Sequence, residues 1–256
     1  TNTDPAYKKV GRFGIAVQGS INNMETARAL DPERRTKISA NAVNSFVKQC
    51  QEILERHPVN EKRNERLLLK ANAVLLRDAG TILPELPKKD GWGALVNMPL
   101  EIGICKLAGM KVLRVDYPEM TNKGVIDNLY KGLKETIANA KIMIKHGGLQ
   151  KYFIHIKELD VLGHDGNAKE KKKMIELIDN KLFGYLKGIN DIELLVTGDH
   201  ATSCDLRIHV SDAVPLLHYK NGIKRDMMRR FNESESADGY YKQVYGKDLL
   251  LKTGFE

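Results

Sequence analysis

Apolar residues recur at helical spacing over residues 37–56, where Ile38, Val43, Phe46, Val47, Ile53 and Leu54 form one stripe and Pro58 stops the pattern. A short apolar run at 73–76 then ends in Arg77-Asp-Ala-Gly80 and reads as a strand entering a loop. Turn residues punctuate the region at Asp4-Pro5, Asp31-Pro32 and His57-Pro58, and the Pro-rich, charged stretch 84–91 reads as a linker. From Gly91 onward short apolar runs alternate with helical stripes. The spacing predicts a helix over 99–110, a strand over 111–115, a helix over 122–145 and a strand over 152–156. A helix over 167–187 follows, with Met174, Ile175, Leu177, Ile178, Leu182 and Phe183 inward, then strands over 192–196 and 214–217. Strand, helix, strand at this spacing implies an α/β fold with a largely parallel sheet flanked by helices. The boundary divides the chain into residues 1–90 and 91–256, without internal repeats or low-complexity tracts.

Composition narrows the class. With 42% hydrophobic and 29% charged residues, the chain has the makings of a soluble globular protein. A net charge of +8 suits anionic small molecules. Its densest basic run, 169–173, lies within a helical stripe and reads as a solvated face; with no aromatic interleaving or known module, nucleic-acid binding is not expected. Cys50, Cys105 and Cys204 are odd in number and form no CxxC pair, which points to a reducing, cytoplasmic setting. No apolar run is long enough to cross a bilayer, so no membrane partner is expected.

Two of the strands are followed by acidic and histidine residues, and ligands in open α/β sheets gather beyond the carboxyl ends of strands. After 152–156 come Lys157, Asp160 and His164; after 192–196 come Asp199 and His200, with His209 close behind. Asp160 and His164 are one helical turn apart and can aim at one ion. Asp199 and His200, if extended, point in opposite directions and suggest two neighbouring ions. A pair of ions about 3.5–4 Å apart is the clamp used in phosphoryl transfer. Mixed carboxylate and imidazole donors favour Mn²⁺ or Zn²⁺, then Co²⁺, over the all-oxygen preference of Mg²⁺. His57, His146 and His218 have no carboxylate at useful spacing and read as solvated or packing residues, and His155 as a satisfied sheet histidine.

Several blocks occur together in one order: Asn2-Thr-Asp-Pro-Ala6, His57-Pro-Val-Asn60 with Arg63, Asn72-Ala-Val-Leu-Leu-Arg77-Asp-Ala-Gly80, Leu107-Ala-Gly-Met110, His155-Ile-Lys157 with Asp160 and Gly163-His-Asp-Gly166, and Thr197-Gly-Asp-His-Ala-Thr202. In this the chain resembles the archaeal-type, 2,3-bisphosphoglycerate-independent phosphoglycerate mutases of the alkaline phosphatase superfamily. The resemblance implies an alkaline-phosphatase-like domain at 91–256 and, at 1–90, part of a smaller α/β insert domain that binds substrate. It implies two divalent ions, manganese first, with zinc, cobalt or magnesium as alternatives, and no bisphosphoglycerate cofactor. Asp160, His164 and His209 would hold one ion, and Asp199 and His200 would help to hold the other. Arg77 would face the phosphate or carboxylate of phosphoglycerate, a task suited to its planar, permanently charged fork. Asn72, Asn60, Arg63 and Lys157 are further substrate-binding candidates.

The family opens with a strand ending in Asp-Gly, whose aspartate ligates metal, and then supplies the nucleophilic serine. This chain, beginning at Thr1, has no counterpart of either. Ser203 stands where relatives usually carry proline, and Ala213 replaces another. The expectation is an incomplete portion of a mutase, inactive alone, with the remainder on a preceding segment or a partner chain. The alternatives are a non-catalytic metal- or phosphate-binding subunit, or another phosphatase or phosphomutase of the superfamily.

Overall fold

A computed structural model of the 256-residue chain describes residues 27, 29, 32–74, 76, 82–114 and 124–255. The chain divides into two compact units, Thr1–Pro84 and Glu85–Glu256.

In the first unit, helix α1 spans Arg34–Glu55. Of its expected stripe, Ile38, Phe46 and Ile53 remain exposed while Ala40 is buried. Helix α2, Pro58–Glu65, begins at once: His57 Nδ1 accepts from Val59 N at 3.3 Å, and Pro58 supplies a fixed φ at the first helical position. Ala73, Val74 and Leu76 belong to no strand, contrary to the sequence pattern. Just upstream the backbone pairs with a side chain instead: buried Asn60 accepts from Ala71 N at 2.7 Å and donates to Ala71 O at 3.1 Å and Leu54 O at 2.7 Å.

The second unit is built on three parallel strands, β1 (Trp92–Val96), β2 (Lys111–Arg114) and β3 (Lys151–Ile154), in the order β2-β1-β3. The connecting helices are α3 (Pro99–Leu107) and α4 (Val125–His146). Alternation along β1 feeds both faces of the sheet. Leu95 joins one core with Leu129, Leu133, Ile137, Ala140 and Met143 of α4, while Ala94 and Val96 join the other with Cys105 of α3. The α/β architecture, with a parallel sheet flanked by helices, therefore matches the pattern of the sequence.

After β3 come α5 (Glu158–His164) and α6 (Ala168–Ile178), which runs through a five-residue π segment, Asp179–Phe183, into the short α7 (Gly184–Leu186). Met174, Ile178 and Leu182 are buried as expected, whereas Ile175 is exposed. The remaining strands are β4 (Leu194–Thr197), β5 (Ala201–Ser203), β6 (Ile208–Val210) and β7 (Leu216–Tyr219). They differ from the parallel pattern: β4 pairs antiparallel with β7, and β5 antiparallel with β6. Two helical turns, α8 (Glu233–Ser236) and α9 (Leu249–Thr253), close the unit. Phe255 then packs edge-on against Trp92 and accepts a hydrogen bond from Lys151 Nζ through its carbonyl. Among the described residues no helix is long and apolar enough to cross a membrane.

The β4–β7 ladder corrects the reading of His218 as lacking a carboxylate. Its buried ring lies between Glu193 Oε1, 2.8 Å from Nε2, and Tyr241 Oη, 2.6 Å from Nδ1. The partner is 25 residues upstream, beyond any local spacing rule. Burial pushes the Glu193 carboxyl up, but hydrogen bonds from His218 and Lys220 prevail and hold it below its ordinary range. A carboxyl lowered on folding stabilises above its unfolded value, about 4.3, and that contribution is lost as pH falls through the folded value. Glu193→Gln should therefore flatten the acid limb of stability. Denaturant midpoints at neutral pH and near pH 3.5 measure this; an unchanged difference between the two would contradict it.

Candidate metal centre

The segments that follow β3 and β4 converge. Helix α5 starts a short turn beyond β3, and its 3.6-residue period stacks Asp160 and His164 on one face. On the other side, His200 and Thr202 are two residues apart entering β5, and Thr202 lies opposite His209 in the β5–β6 register. Cross-strand pairing sets Thr202 beside His209, and His200, on the bend just before β5, stacks on the His209 ring, so the three share one surface.

His209 Nε2 is 3.1 Å from Asp160 Oδ1 and 3.1 Å from His164 Nε2, and His164 Nε2 is 3.4 Å from Asp160 Oδ1. One donor atom from each of the three residues falls within 4.8 Å of the others, the spacing expected of ligands sharing an ion. One carboxylate oxygen and two imidazole nitrogens form a donor set suited to Mn²⁺, Zn²⁺ or Co²⁺.

Asp160 is the hub. Lys157 Nζ donates to its Oδ2 at 2.6 Å, and the Thr202 hydroxyl donates to its Oδ1 at 2.6 Å. Burial raises its carboxyl, yet these hydrogen bonds, with the charges of Lys157 and His164, leave it far below the ordinary carboxylate range, ready as an anionic ligand. Burial lowers His209, as does neighbouring His200, against the opposing pull of Asp160. The neutral ring, the form that ligates metal, is thereby favoured.

Asp199 and His200 stand differently from the sequence reading. They sit on a bend rather than in extended backbone, and Asp199 Oδ1 accepts from His200 N at 2.9 Å. Their side chains approach each other, with His200 Nε2 3.1 Å from Asp199 Oδ2, instead of diverging. His200 reaches the cluster by stacking on His209, ring centroids 3.5 Å apart, whereas the Asp199 side chain is 60% exposed.

Lys157 is the substrate-binding candidate located at this cluster. Asn60, another candidate, is buried with its amide bonded to the backbone of Leu54 and Ala71. Arg63 donates through Nε to Leu69 O at 2.8 Å, and Asn72 through Nδ2 to Glu55 Oε2 at 2.6 Å. Arg77 lies outside the described residues. His155 lies just past β3 rather than within a strand: its backbone N donates to Leu95 O at 3.1 Å, while its buried Nδ1, 3.3 Å from Glu101 Oε1, makes no hydrogen bond among the described residues, so it is not the satisfied sheet histidine expected.

Three contributors escape the sequence reading. Thr202 bridges Asp160 and His200, and its only signal in the sequence is the period-two spacing from His200. Arg207, in left-handed backbone with φ 56°, presents its carbonyl to His164 Nδ1 at 3.0 Å. Gly163 permits the close approach of α5 to β5: a Cβ there would lie 2.7 Å from Thr202 Cγ2 and 2.9 Å from Thr202 O. Because part of that contact is backbone, Gly163→Ala should cost about 1–3 kcal/mol by overpacking. A thermal midpoint unchanged from that of the parent chain would refute this.

The family model described as the metalloenzyme superfamily matches residues 106–251. The chain is 33% identical to the 2,3-bisphosphoglycerate-independent phosphoglycerate mutase of Picrophilus torridus, with 85% of this chain and 53% of that protein covered. It is 32% identical to the protein of the same name from Aeropyrum pernix, over 96% of this chain and 58% of that one. It thus spans somewhat over half the length of the curated relatives it matches. Among solved structures it is similar to the PH0037 protein from Pyrococcus horikoshii, with TM-score 0.66 and 29% identity, covering 86% of this chain and 57% of that chain. With more than half its length matched, including every residue of the cluster, this chain belongs to the metalloenzyme superfamily.

Proposed function

We propose that this chain carries the metal-holding part of a 2,3-bisphosphoglycerate-independent phosphoglycerate mutase, which interconverts 3- and 2-phosphoglycerate through a phosphoserine. The observation that carries the reading is the convergence of Asp160, His164 and His209, in a chain whose relatives bear that name. In this reading the three residues hold one divalent ion, manganese first by donor type, and Asp199 and His200 contribute to a second. When bound, such cations spread the charge of a phosphoryl group in transfer and lower the pKa of the attacking hydroxyl.

The chain's own residues prepare that site. Asp160 stays ionised beside Lys157 and Thr202. Lys157, its ammonium already at the cluster, neutralises an incoming phosphate. Residues 1–90 form part of the substrate-binding domain, with Arg77 as the anion fork and Asn72 and Arg63 as supporting contacts. The nucleophilic serine is assigned to no residue of this chain. A cytoplasmic setting in glycolysis or gluconeogenesis fits the free thiols.

The test uses the full-length protein with Mn²⁺ and 3-phosphoglycerate, without bisphosphoglycerate, followed by phosphorus NMR. The expected result is 2-phosphoglycerate with negligible inorganic phosphate, abolished by EDTA and restored by Mn²⁺. Release of inorganic phosphate as the main product would replace the mutase reading with a phosphatase.

A further inference from the structure

We propose that Thr202 and the backbone of Arg207 are positioning residues that fix the tautomers of His200 and His164, so that both neutral rings carry their proton on Nδ1 and turn an unprotonated Nε2 to the cation site before any cation arrives. The proposal deepens the metal reading of the same site and rests on it for its purpose.

His164 is the simpler case. Its Nδ1 lies 3.0 Å from the carbonyl oxygen of Arg207, and a carbonyl can only accept, so Nδ1 must donate. In the neutral ring the single proton is committed there, and Nε2, the atom facing His209 and Asp160, keeps its lone pair. The acceptor is itself held in place. Arg207 takes φ 56°, closes its turn by donating N–H to Ser203 O at 2.7 Å, and lays its guanidinium over Gly166, where a Cβ would meet Nε at 2.7 Å. Left-handed backbone at a non-glycine residue is uncommon and is retained here where it aims a carbonyl at a site histidine.

His200 follows from proton counting. The Thr202 hydroxyl has one hydrogen and two neighbours, Asp160 Oδ1 at 2.6 Å and His200 Nδ1 at 3.2 Å. An ionised carboxylate offers no hydrogen, so the shorter, charge-assisted bond takes the hydroxyl proton. Oγ1 then has only lone pairs to offer His200, and Nδ1 must be the donor. The competing arrangement puts the ring proton on Nε2, towards Asp199 Oδ2 at 3.1 Å. Burial decides between them. Thr202 is 8% exposed, so two facing lone pairs there would go unsatisfied, whereas the Asp199 carboxylate is 60% exposed and water serves it instead. One aspartate oxygen and one peptide carbonyl thus set both rings, the outer-shell arrangement that orients metal-binding imidazoles.

The experiment is nitrogen-15 NMR of the imidazoles in the cation-free chain at about pH 8, above the ordinary histidine range. His164 and His200 should show a protonated-type Nδ1 and a lone-pair-type Nε2. Thr202→Val should move His200 towards the Nε2-protonated form and weaken Co²⁺ binding roughly 10- to 100-fold, while Thr202→Ser restores both. Arg207→Gly, which keeps φ positive, should leave His164 unchanged, and Arg207→Val should not. A wild-type chain with Nε2 protonated on either histidine overturns the proposal without need of any variant, as does a His200 tautomer indifferent to Thr202→Val. Because the tautomers are read without a cation, their failure is distinct from a failure of Co²⁺ to bind.

Discussion

Asp160→Ala should weaken Mn²⁺ binding by roughly 100-fold or more, beyond the loss typical of an outer-shell partner. The reason is concentration of function in one group. Oδ1 faces both ring nitrogens and receives the Thr202 hydroxyl, while Oδ2 neutralises Lys157. Truncation removes the only carboxylate of the triad and leaves an ammonium ion beside the vacated space. Asp160→Asn separates charge from shape: the amide keeps the size of the side chain but cannot supply a negative ligand. Both variants should lose affinity by titration calorimetry, with the Asn form closer to the parent in thermal midpoint. Mn²⁺ binding within threefold of the parent in either variant would remove Asp160 from the proposed centre, and the two-ion reading with it. The mutase activity proposed above should fall in parallel.

The second large effect is on the scaffold. Leu133, on α4, is fully buried and packs within the cluster that includes Leu95 of β1, Leu162 of α5 and Met174 of α6. Leu133→Ala should cost about 2–5 kcal/mol, the transfer free energy of the lost atoms plus the cavity left behind. For a unit of this size that lowers the thermal midpoint by several degrees or more. Leu251, which is 80% exposed, is the control, and its replacement by alanine should fall within the ±0.5 kcal/mol of ordinary surface changes. Leu133→Ala with an unshifted midpoint would mean that this layer does not hold the second unit together. Because Leu162 and the Asp160–His164 face belong to the same short helix, a loosened core should also reach the cation site as reduced affinity.

Much of this arrangement is legible in the order of residues alone. Long stripes such as that of α4 name their helices because burial repeats every three or four residues. The spacing of Asp160 and His164 likewise places both on one face of α5, and His209 comes to lie beside them. The central strand β1 is not among the strands that the pattern predicts. Its five residues are too short for periodicity, and they follow directly on the charged stretch that reads as a linker. The antiparallel pairing of β4 with β7 is also hidden, since the alternation of strands and helices says nothing about direction once the intervening segments are hairpins. Backbone chemistry is the least legible. The contribution of Arg207 comes from a carbonyl, which carries no residue identity, and that of Gly163 from an absent Cβ. Asn60 shows another hidden contribution: a polar residue in a family block invites a ligand role, and only the structure shows its amide joining α1 to the segment after α2.

Asp160 and His209 are 49 positions apart along the chain and adjacent in space. Whatever grips both acts as a removable staple across α6 and β4, restricting the unfolded ensemble much as a covalent cross-link of that span would. Chelation should then do more than silence chemistry. It should raise the rate at which protease nicks the loops between those two residues, and added cation should slow it again, so the same ion would govern how long the protein survives as well as what it does.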